Sequence, residues 1–253
     1  MIKSIRLGIG AILLTATQLS NASIAEVHLS NISLSASGGE WWYWLPSNET
    51  WLPKTSSTGA ALENPALSAS TPLTWHGNPL DSTVAGGGWF ASASITPTTP
   101  GDLNGTSAST KVSVGDGQSG WAFANIFDGY LMIGGGVTFT VNAILNSISA
   151  SGSMSQANAS IELCGTDFTT DVCDFQHYAE AFVDATSGAY TGPSTLAVSW
   201  TNPGATTWVK LRLGLSASAN SDVAVAEVPE PGALSLALLG VLGLIATRRR
   251  RVA

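Results

Sequence analysis

Apolar residues recur at every second position along much of the chain. The clearest runs are 138–143, 157–163 and 209–217, where apolar side chains alternate with polar residues or glycine. Successive side chains of a strand point to opposite faces, so each run predicts a strand with one buried and one hydrated face. We place Leu213, Leu215 and Val198 in the core. Between 147 and 155, Ile148, Ala150, Gly152 and Met154 alternate with serines, so the alternation changes phase near Gln156, which predicts a turn or a bulge there.

Turn signals separate these runs. Asp128-Gly129 is typical of a type I′ hairpin turn, and residues 202–204 (Asn-Pro-Gly) predict a turn before the run at 207–216. Residues 115–120 match G-x-G-x-x-G, but a strand-like segment follows instead of the helix that a nucleotide loop requires, which favours a glycine-rich hairpin.

The pattern as a whole predicts an all-β fold, an antiparallel β-sandwich with jelly-roll-like topology and no amphipathic helix. Seven of the eleven prolines lie between Pro46 and Pro100. We therefore expect residues 38–105 to be rich in loops.

The first 25 residues have the parts of a secretory signal peptide. Lys3 and Arg6 supply a positive start, residues 7–14 are apolar, and residues 20–22 (Ser-Asn-Ala) and 23–25 (Ser-Ile-Ala) both offer small residues for cleavage. The apolar stretch is short for a membrane span, which favours cleavage over an uncleaved anchor. The sequence thus predicts a signal peptide at 1–25 and an exported body at 26–226.

The last segment, residues 227–253, combines three features in a fixed order. Pro229-Glu230-Pro231 is followed by an apolar stretch, 232–247, and then by Arg248, Arg249, Arg250 and Arg251. A helix over 232–247 would be about 24 Å long, a little short of a ~30 Å hydrocarbon core, and arginine side chains can relieve the difference by snorkelling. Clustered arginines favour the cytoplasmic side, which leaves the body outside.

This tail resembles the PEP-CTERM sorting signal, which is also catalogued as an ice-binding-protein C-terminal motif. The resemblance covers about residues 228–252, and Pro229, Glu230 and Pro231 match it directly. It implies a Gram-negative bacterium that makes extracellular polysaccharide. It also implies export by the Sec machinery, transient insertion in the inner membrane, and cleavage near Pro-Glu-Pro by an exosortase. The simpler alternative is a plain membrane anchor after a proline-rich hinge.

The body is acidic and contains few charged residues. Four basic residues (Lys54, Lys111, Lys210 and Arg212) face sixteen acidic residues between Glu26 and Glu227, a formal charge of −12. Such a surface repels phosphate backbones, so we expect no nucleic-acid partner.

Two cysteines, Cys164 and Cys173, lie close together in the sequence. In an exported protein such a pair predicts a disulfide. Asp167, Asp171 and Asp174 lie in or beside the loop that the bridge would close, and carboxylates there could bind Ca²⁺. No EF-hand spacing supports calcium, so we favour a solvated acidic loop and expect neither a cofactor nor a metal.

The segment Glu40-Trp41-Trp42-Tyr43-Trp44, followed by Trp51, is the most unusual in the body. As a strand it would direct Trp41 to one face and Trp42 and Trp44 to the other. Indole rings stack on sugar rings but also fill ordinary cores. These four tryptophans are our candidate sugar contacts, with a tryptophan-rich edge of the core as the alternative.

Three functions compete for the body. We expect a non-catalytic surface or matrix protein associated with extracellular polysaccharide, because neither H-E-x-x-H nor G-x-S-x-G occurs. A glycan-binding or glycan-active protein is the alternative, and a glycosidase would need two converging carboxylates that no spacing singles out. An ice-binding protein is the third hypothesis, suggested by the second label of the tail.

Overall fold

A computed structural model describes residues 22–43, 54–63, 66–75, 77–115, 117–166 and 173–221. The predicted sorting tail with its helix at 232–247, and most of the predicted signal peptide, lie outside these residues. No helix occurs in the described part of the chain, and hence none there that could span a membrane.

Fourteen strands form in the described residues. They are β1 (Ser23–Ser37), β2 (Trp41–Tyr43), β3 (Lys54–Glu63), β4 (Ala66–Ser70), β5 (Thr74–Trp75), β6 (Leu80–Gly86), β7 (Trp89–Thr96), β8 (Ser107–Val114), β9 (Ser119–Ile133), β10 (Thr138–Ser151), β11 (Gln156–Thr166), β12 (Cys173–Asp184), β13 (Thr195–Thr201) and β14 (Thr207–Asn220).

The strands form two antiparallel sheets, which confirms the all-β prediction. The smaller sheet has the order β13-β10-β1-β8-β7-β6, and the larger sheet has the order β12-β11-β14-β9-β3-β4. Two short strands join the larger sheet, β2 beside β9 and β5 beside β3.

The inner faces of both sheets contribute to one hydrophobic core. Phe127, Ile161 and Leu213 come from the larger sheet and Phe139 from the smaller sheet, and all four are almost fully buried. Leu215 and Val198 are also buried, as the alternation predicts. Burial of each large apolar side chain contributes about 1.5–3 kcal/mol, so the alternating pattern stabilises the stacking of the two sheets.

The hairpin predicted at Asp128-Gly129 is wrong. β9 runs straight through both residues, which lie opposite Arg212 and Leu211 of β14. The irregularity lies two residues earlier, where Ile126 is an extra residue in the register and both Ile126 and Phe127 face the core. A β-bulge thus replaces the turn. Glycine at 129 is needed for space, because a Cβ there would lie 2.8 Å from Cγ2 of Thr55.

One further prediction needs correction. Residues 115–120 lie where β8 of the smaller sheet connects to β9 of the larger sheet, so they do not form a hairpin. The described part of residues 38–105, where we expect many loops, contains six strands, β2 to β7, with connections between them. Pro79 and Pro97 each lie next to a strand and leave its ladder intact.

β1 begins inside the segment predicted as a signal peptide. Ser23 pairs with Val114 of β8, and its hydroxyl donates a hydrogen bond to the Ser153 carbonyl at 3.1 Å. Ala25 is completely buried in the core. The first strand of the sandwich therefore starts at Ser23, three residues before the predicted start of the body, because the inward alternation of β1 starts there.

The described chain enters and leaves the sandwich at the same end. Gly115 follows Val114, the residue that pairs with Ser23, and its carbonyl accepts a hydrogen bond from the Gln118 N–H at 3.2 Å. The Gln118 carbonyl in turn accepts one from the N–H of Ser221, at 2.9 Å. The connection between β8 and β9 therefore links the first strand to the last residue described.

Asn202 fixes the opposite end of the sandwich, in the turn that the sequence predicts. Its side chain is 2% exposed, and Nδ2 lies 2.7–3.1 Å from the carbonyl oxygens of Ile133, Gly134 and Ala205. Its Oδ1 accepts the Gly204 N–H at 3.1 Å. One side chain thus satisfies the backbone of two neighbouring turns.

We expect Asn202→Ala to lower the free energy of unfolding by about 2–3 kcal/mol, because it leaves buried carbonyl groups without donors. Chemical denaturation of the exported body measures this. Asn142→Ala, on the hydrated face of β10, is the matched control and should cost about 0.5 kcal/mol or less. Equal losses in the two variants would contradict this role for Asn202.

Cys164 and Cys173 are bonded, as predicted, with their Cα atoms 5.2 Å apart. The bridge joins the end of β11 to the start of β12. Next to it, glycine at 165 leaves room for the ring of Phe175, which stacks on Trp200 with ring centroids 4.4 Å apart. The disulfide thus ties β12 to β11 within the larger sheet, and the stacked pair holds β12 against β13 of the smaller sheet.

Replacing both cysteines by alanine should lower the free energy of unfolding by about 2–3 kcal/mol, because the bridge restricts a loop of about ten residues in the unfolded chain. Thermal and denaturant unfolding of the exported protein would test this. Adding a reductant should destabilise the parent protein to the level of the double variant and leave the variant itself unchanged. A reductant effect on the variant would point to another cause.

Candidate functional site

The predicted tryptophan segment has two different faces. In β2, Trp41 contacts Phe139 with ring centroids 5.0 Å apart, and Tyr43 contacts Phe127 at 5.7 Å. Burial, and next the negative charge of Asp102, raise the pKa of the Tyr43 hydroxyl far above its usual value. These two partly buried rings therefore pack on the core, which is the alternative that the sequence left open for this segment.

Trp42 points to the opposite face and is 44% exposed. It lies opposite Met132 of β9, which lies opposite Trp208 of β14, so the three side chains form a short row across the outer face of the larger sheet. Trp44 and Trp51 fall outside the described residues. Of the four candidate sugar contacts, Trp42 alone is shown on an outer face.

Charged side chains occupy the middle of this outer face. Arg212 lies between two carboxylates, with Nη1 3.2 Å from Oε2 of Glu162 and Nε 3.9 Å from Oδ1 of Asp128. Gln176 donates a hydrogen bond to Glu162 at 2.6 Å, and Lys210 lies 4.0 Å from Asp128. A cation separates the two acids, so they do not converge on a common point as a glycosidase pair would.

A groove lies beyond the charged residues, near the end where the described chain begins and ends. One register row crosses it, with Phe123 on β9, Ser216 on β14, Asn158 on β11 and Phe182 on β12. Four neighbouring strands spaced about 4.8 Å apart place the two phenylalanine backbones about 14 Å apart. The two aromatic residues are the walls, and the two small polar residues are the floor.

Trp121 and Phe123 form the first wall. Their rings stack with centroids 5.7 Å apart and planes 17° apart. Phe123 lies over Gly59 of β3, where a Cβ would come within 2.5 Å of the ring. The absence of a side chain at Gly59 thus lets the Phe123 ring lie down on the neighbouring strand, and Trp121 extends this flat surface.

The second wall follows β12. Phe182 is 43% exposed, and Tyr178, four residues earlier on the same face, is 52% exposed. Partial burial, and then a hydrogen bond with Glu180, raise the pKa of the Tyr178 hydroxyl. Glu180 also accepts a hydrogen bond from the amide of Asn158. The wall therefore combines apolar rings with an anchored polar side chain.

The floor between the walls is small, polar and uncharged. Two adjoining depressions of about 310 and 240 Å³ share Phe123, Asn158 and Ser216. They follow β14 and β11, and the remaining outward floor residues are Asn125, Gln156, Ser160, Gly214 and Ser218. The groove is shallow and can contact an extended molecule along its length.

Sequence reasoning missed this groove, although a signal for it exists. In residues 121–124 (Trp-Ala-Phe-Ala) the alanines are buried and the aromatic residues face outward, which inverts the usual placement. The same inversion occurs in residues 181–183, where Ala181 and Val183 are buried around an exposed Phe182. The signal in the sequence is therefore a strand in which aromatic residues alternate with alanine or valine, so that the small residues lie in the core and the large rings face the solvent.

A larger depression, about 530 Å³, lies beside β10 and the chain between β12 and β13. β13 pairs with β10 only as far as Ile144, so the depression follows the last part of β10. Tyr190 is the one aromatic residue in its lining. Its lining is also polar, with Asn146, Ser147, Ser149 and Ser194, but it lacks a pair of aromatic walls, and we regard it as the weaker candidate.

The described residues hold no group of three His, Cys, Asp or Glu side chains that could bind a metal ion. Asp174 is exposed at the start of β12, while Asp167 and Asp171 lie outside the described residues. The expectation of a solvated acidic loop, with calcium binding as the alternative, therefore stays a prediction.

Comparison with known proteins identifies the tail but not the body. Residues 227–251 match the PEP-CTERM protein-sorting motif, which includes Pro229, Glu230, Pro231 and the four arginines at 248–251. Neither a curated protein nor a solved structure matches the chain.

The two faces of β2 should respond differently to truncation. We expect Trp41→Ala to lower the free energy of unfolding by about 2–4 kcal/mol, because the ring packs on the core. Trp42→Ala should cost about 1 kcal/mol or less, because a large part of its ring already contacts water. Denaturant unfolding of both variants tests this, and equal losses would mean that both rings belong to the core.

Proposed function

We propose that this protein, which is exported and carries a PEP-CTERM sorting signal recognised by exosortases, is a non-catalytic component of the extracellular polysaccharide matrix. The sorting motif implies a cell-surface or extracellular location. The observation that carries the matrix role is the aromatic-walled, polar-floored groove on the outer face of the larger sheet. A surface of this kind suits contact with a polymer better than it suits catalysis.

The positions of the acidic side chains on the outer face of the larger sheet support a non-catalytic role. Asp128 and Glu162 are engaged by Arg212, and both belong to an open sheet surface. General acid catalysis by a carboxyl group needs a raised pKa and a position opposite a second acid. A glycan-active enzyme is therefore the less favoured alternative.

The structure also favours one of the two signal-peptide cleavage sites. Cleavage after Ala22 would leave β1 whole, with Ser23 as its first residue. Cleavage after Ala25 would remove the pairs of Ser23 with Val114 and of Ile24 with Ser151, together with the buried Ala25. We propose that export removes residues 1–22.

The sorting mechanism we propose uses the exit of the chain at Ser221. Seven residues, 222–228, separate Ser221 from Pro229, and they can span at most about 25 Å when extended. The predicted helix at 232–247 would hold the protein in the inner membrane until cleavage near Pro229-Glu230-Pro231.

The jelly-roll topology of the sandwich stays a prediction.

An ice-binding surface is the second candidate function. Hydroxyl pairs cross β10 and β13 on the outer face of the smaller sheet, at 2.7 Å between Thr138 and Thr201 and 2.9 Å between Thr140 and Ser199. These rows are regular and uncharged, but their hydroxyl groups already bond to one another. Inhibition of ice recrystallisation by the purified body would favour this candidate over the first.

The mature form should begin at Ser23 and lack the arginines at 248–251, as measured by intact mass of the protein recovered from the cell surface. Replacing Pro229 and Pro231 by alanine should leave the full tail in place, because the sorting motif is lost. Pro193→Ala, in an exposed loop of the body, is the matched control and should be processed normally.

The matrix role is tested in the same strain. Mature protein should fractionate with extracellular polysaccharide and appear in the medium when the host cannot make the polymer. An unchanged distribution would contradict association with the matrix, and recovery of the full-length tail from the mature protein would contradict sorting.

A further inference from the structure

We propose that the groove on the larger sheet binds a neutral polysaccharide chain, with Trp121 and Phe182 as stacking contacts on its two walls. The inference rests on the proposed function, because a matrix protein would meet polysaccharide. The evidence for binding itself is the geometry of the groove. The site differs from the tryptophan segment that the sequence singles out, because Trp42 lies near the opposite end of the same outer face.

Each wall of the groove leaves a large aromatic ring exposed to water. Covering Gly59 gives Phe123 a structural reason to lie on the outer face. Trp121 stacks on Phe123, yet it stays 41% exposed, and Phe182 stays 43% exposed. Large rings cost free energy when they are left in water, and the strands could have directed them inward in place of the alanines beside them.

The groove combines aromatic walls with a polar floor, and this combination matches the chemistry of a sugar ring. A sugar ring offers apolar C–H faces and a rim of hydroxyl groups. The aromatic walls match the faces, and the amide and hydroxyl groups of Asn158, Ser160 and Ser216 match the rim, because they can both donate and accept hydrogen bonds. Asn158 also donates to Glu180, which holds its amide beside the channel. A purely apolar ligand would remove water from these polar groups without replacing its hydrogen bonds, which costs free energy.

The width and openness of the groove favour a chain over a single sugar. Two strands of small residues, β14 and β11, separate walls whose backbones lie about 14 Å apart. The two adjoining depressions share residues and follow the strands as one open channel. A polymer can therefore pass along the floor and contact both walls in succession.

Charge selects a neutral polymer. Glu180 and Asp184 lie on the β12 side of the groove, and Glu63 lies near Trp121, where it accepts a hydrogen bond from Ser119. The nearest cation on this face, Arg212, already bonds to Glu162 and Asp128. A polyuronate would therefore meet carboxylates without a compensating base, in addition to the acidic body as a whole.

Affinity gel electrophoresis of the mature protein tests the proposal. The probes are hydroxyethylcellulose, galactomannan and dextran as neutral polymers and alginate as the anionic one. We expect retardation by at least one neutral polymer and none by alginate. Trp121→Ala and Phe182→Ala should each weaken that retardation about tenfold, since the loss of one stacked ring is on the order of 1.4 kcal/mol.

Trp42→Ala is the matched control, because it removes a tryptophan of similar exposure from the same face of the same sheet. It should bind like the parent protein. Thermal unfolding of all three variants accompanies the binding assay, and Trp121→Phe, which keeps a flat ring, should restore most of the affinity if Trp121→Ala is unstable.

Four outcomes would overturn the proposal. They are no retardation by any neutral polymer, retardation by alginate, equal losses in Trp121→Ala and Trp42→Ala, and unchanged binding in both groove variants. Sorting is measured separately by the mature mass, so a protein that is processed normally but does not bind would refute the groove and leave the exported matrix protein in place.

Discussion

The long antiparallel pairing of β9 with β14 is the constraint on which the other features depend. It runs from Ile133 opposite Thr207 to Ser119 opposite Asn220. Its inner residues fill the core, and its outer residues include both the charged middle of the sheet and part of the groove. The bulge at Ile126 adds one residue to β9 and turns two successive side chains inward. Without that extra residue, one half of β9 would present its apolar side chains to water.

The groove exists because the same strands place small residues in the core and large aromatic rings on the outer face. Alanines fill the core beneath Trp121, Phe123 and Phe182, while the large rings stay outside. Small inward residues let the sheets approach closely, so the core remains well packed even without these rings. Exposing three aromatic rings costs free energy, and natural proteins tolerate such local exceptions at functional surfaces. This is why we base the proposed binding surface on the aromatic walls and not on the more conspicuous tryptophan segment.

The two ends of the described chain meet at the connection between β8 and β9. Ser23 pairs with Val114 at the end of β8, and the N–H of Ser221 donates to the carbonyl of Gln118 just before β9. The β2 segment and the disulfide lie at the other end of the sandwich. The connection between the two sheets therefore also holds the first strand and the last described residue.

The sequence by itself determined the all-β class, the inward residues of β10, β11 and β14, the turn at Asn202, the disulfide and the sorting motif. Each of these depends on local periodicity, on a short turn signal or on a linear motif. Tertiary structure decided what depends on pairing between distant strands. Asp128-Gly129 has the sequence of a turn, yet β14 pairs with it across the chain and holds it extended. Trp41 and Trp42 are equivalent in sequence, and the position of β2 at the sheet edge sends one into the core and the other into water. The groove joins residues from β9, β14, β11 and β12, and its walls are more than fifty positions apart in sequence. A period of two shows which side chains share a face, but only the register of the sheet shows which of them are neighbours.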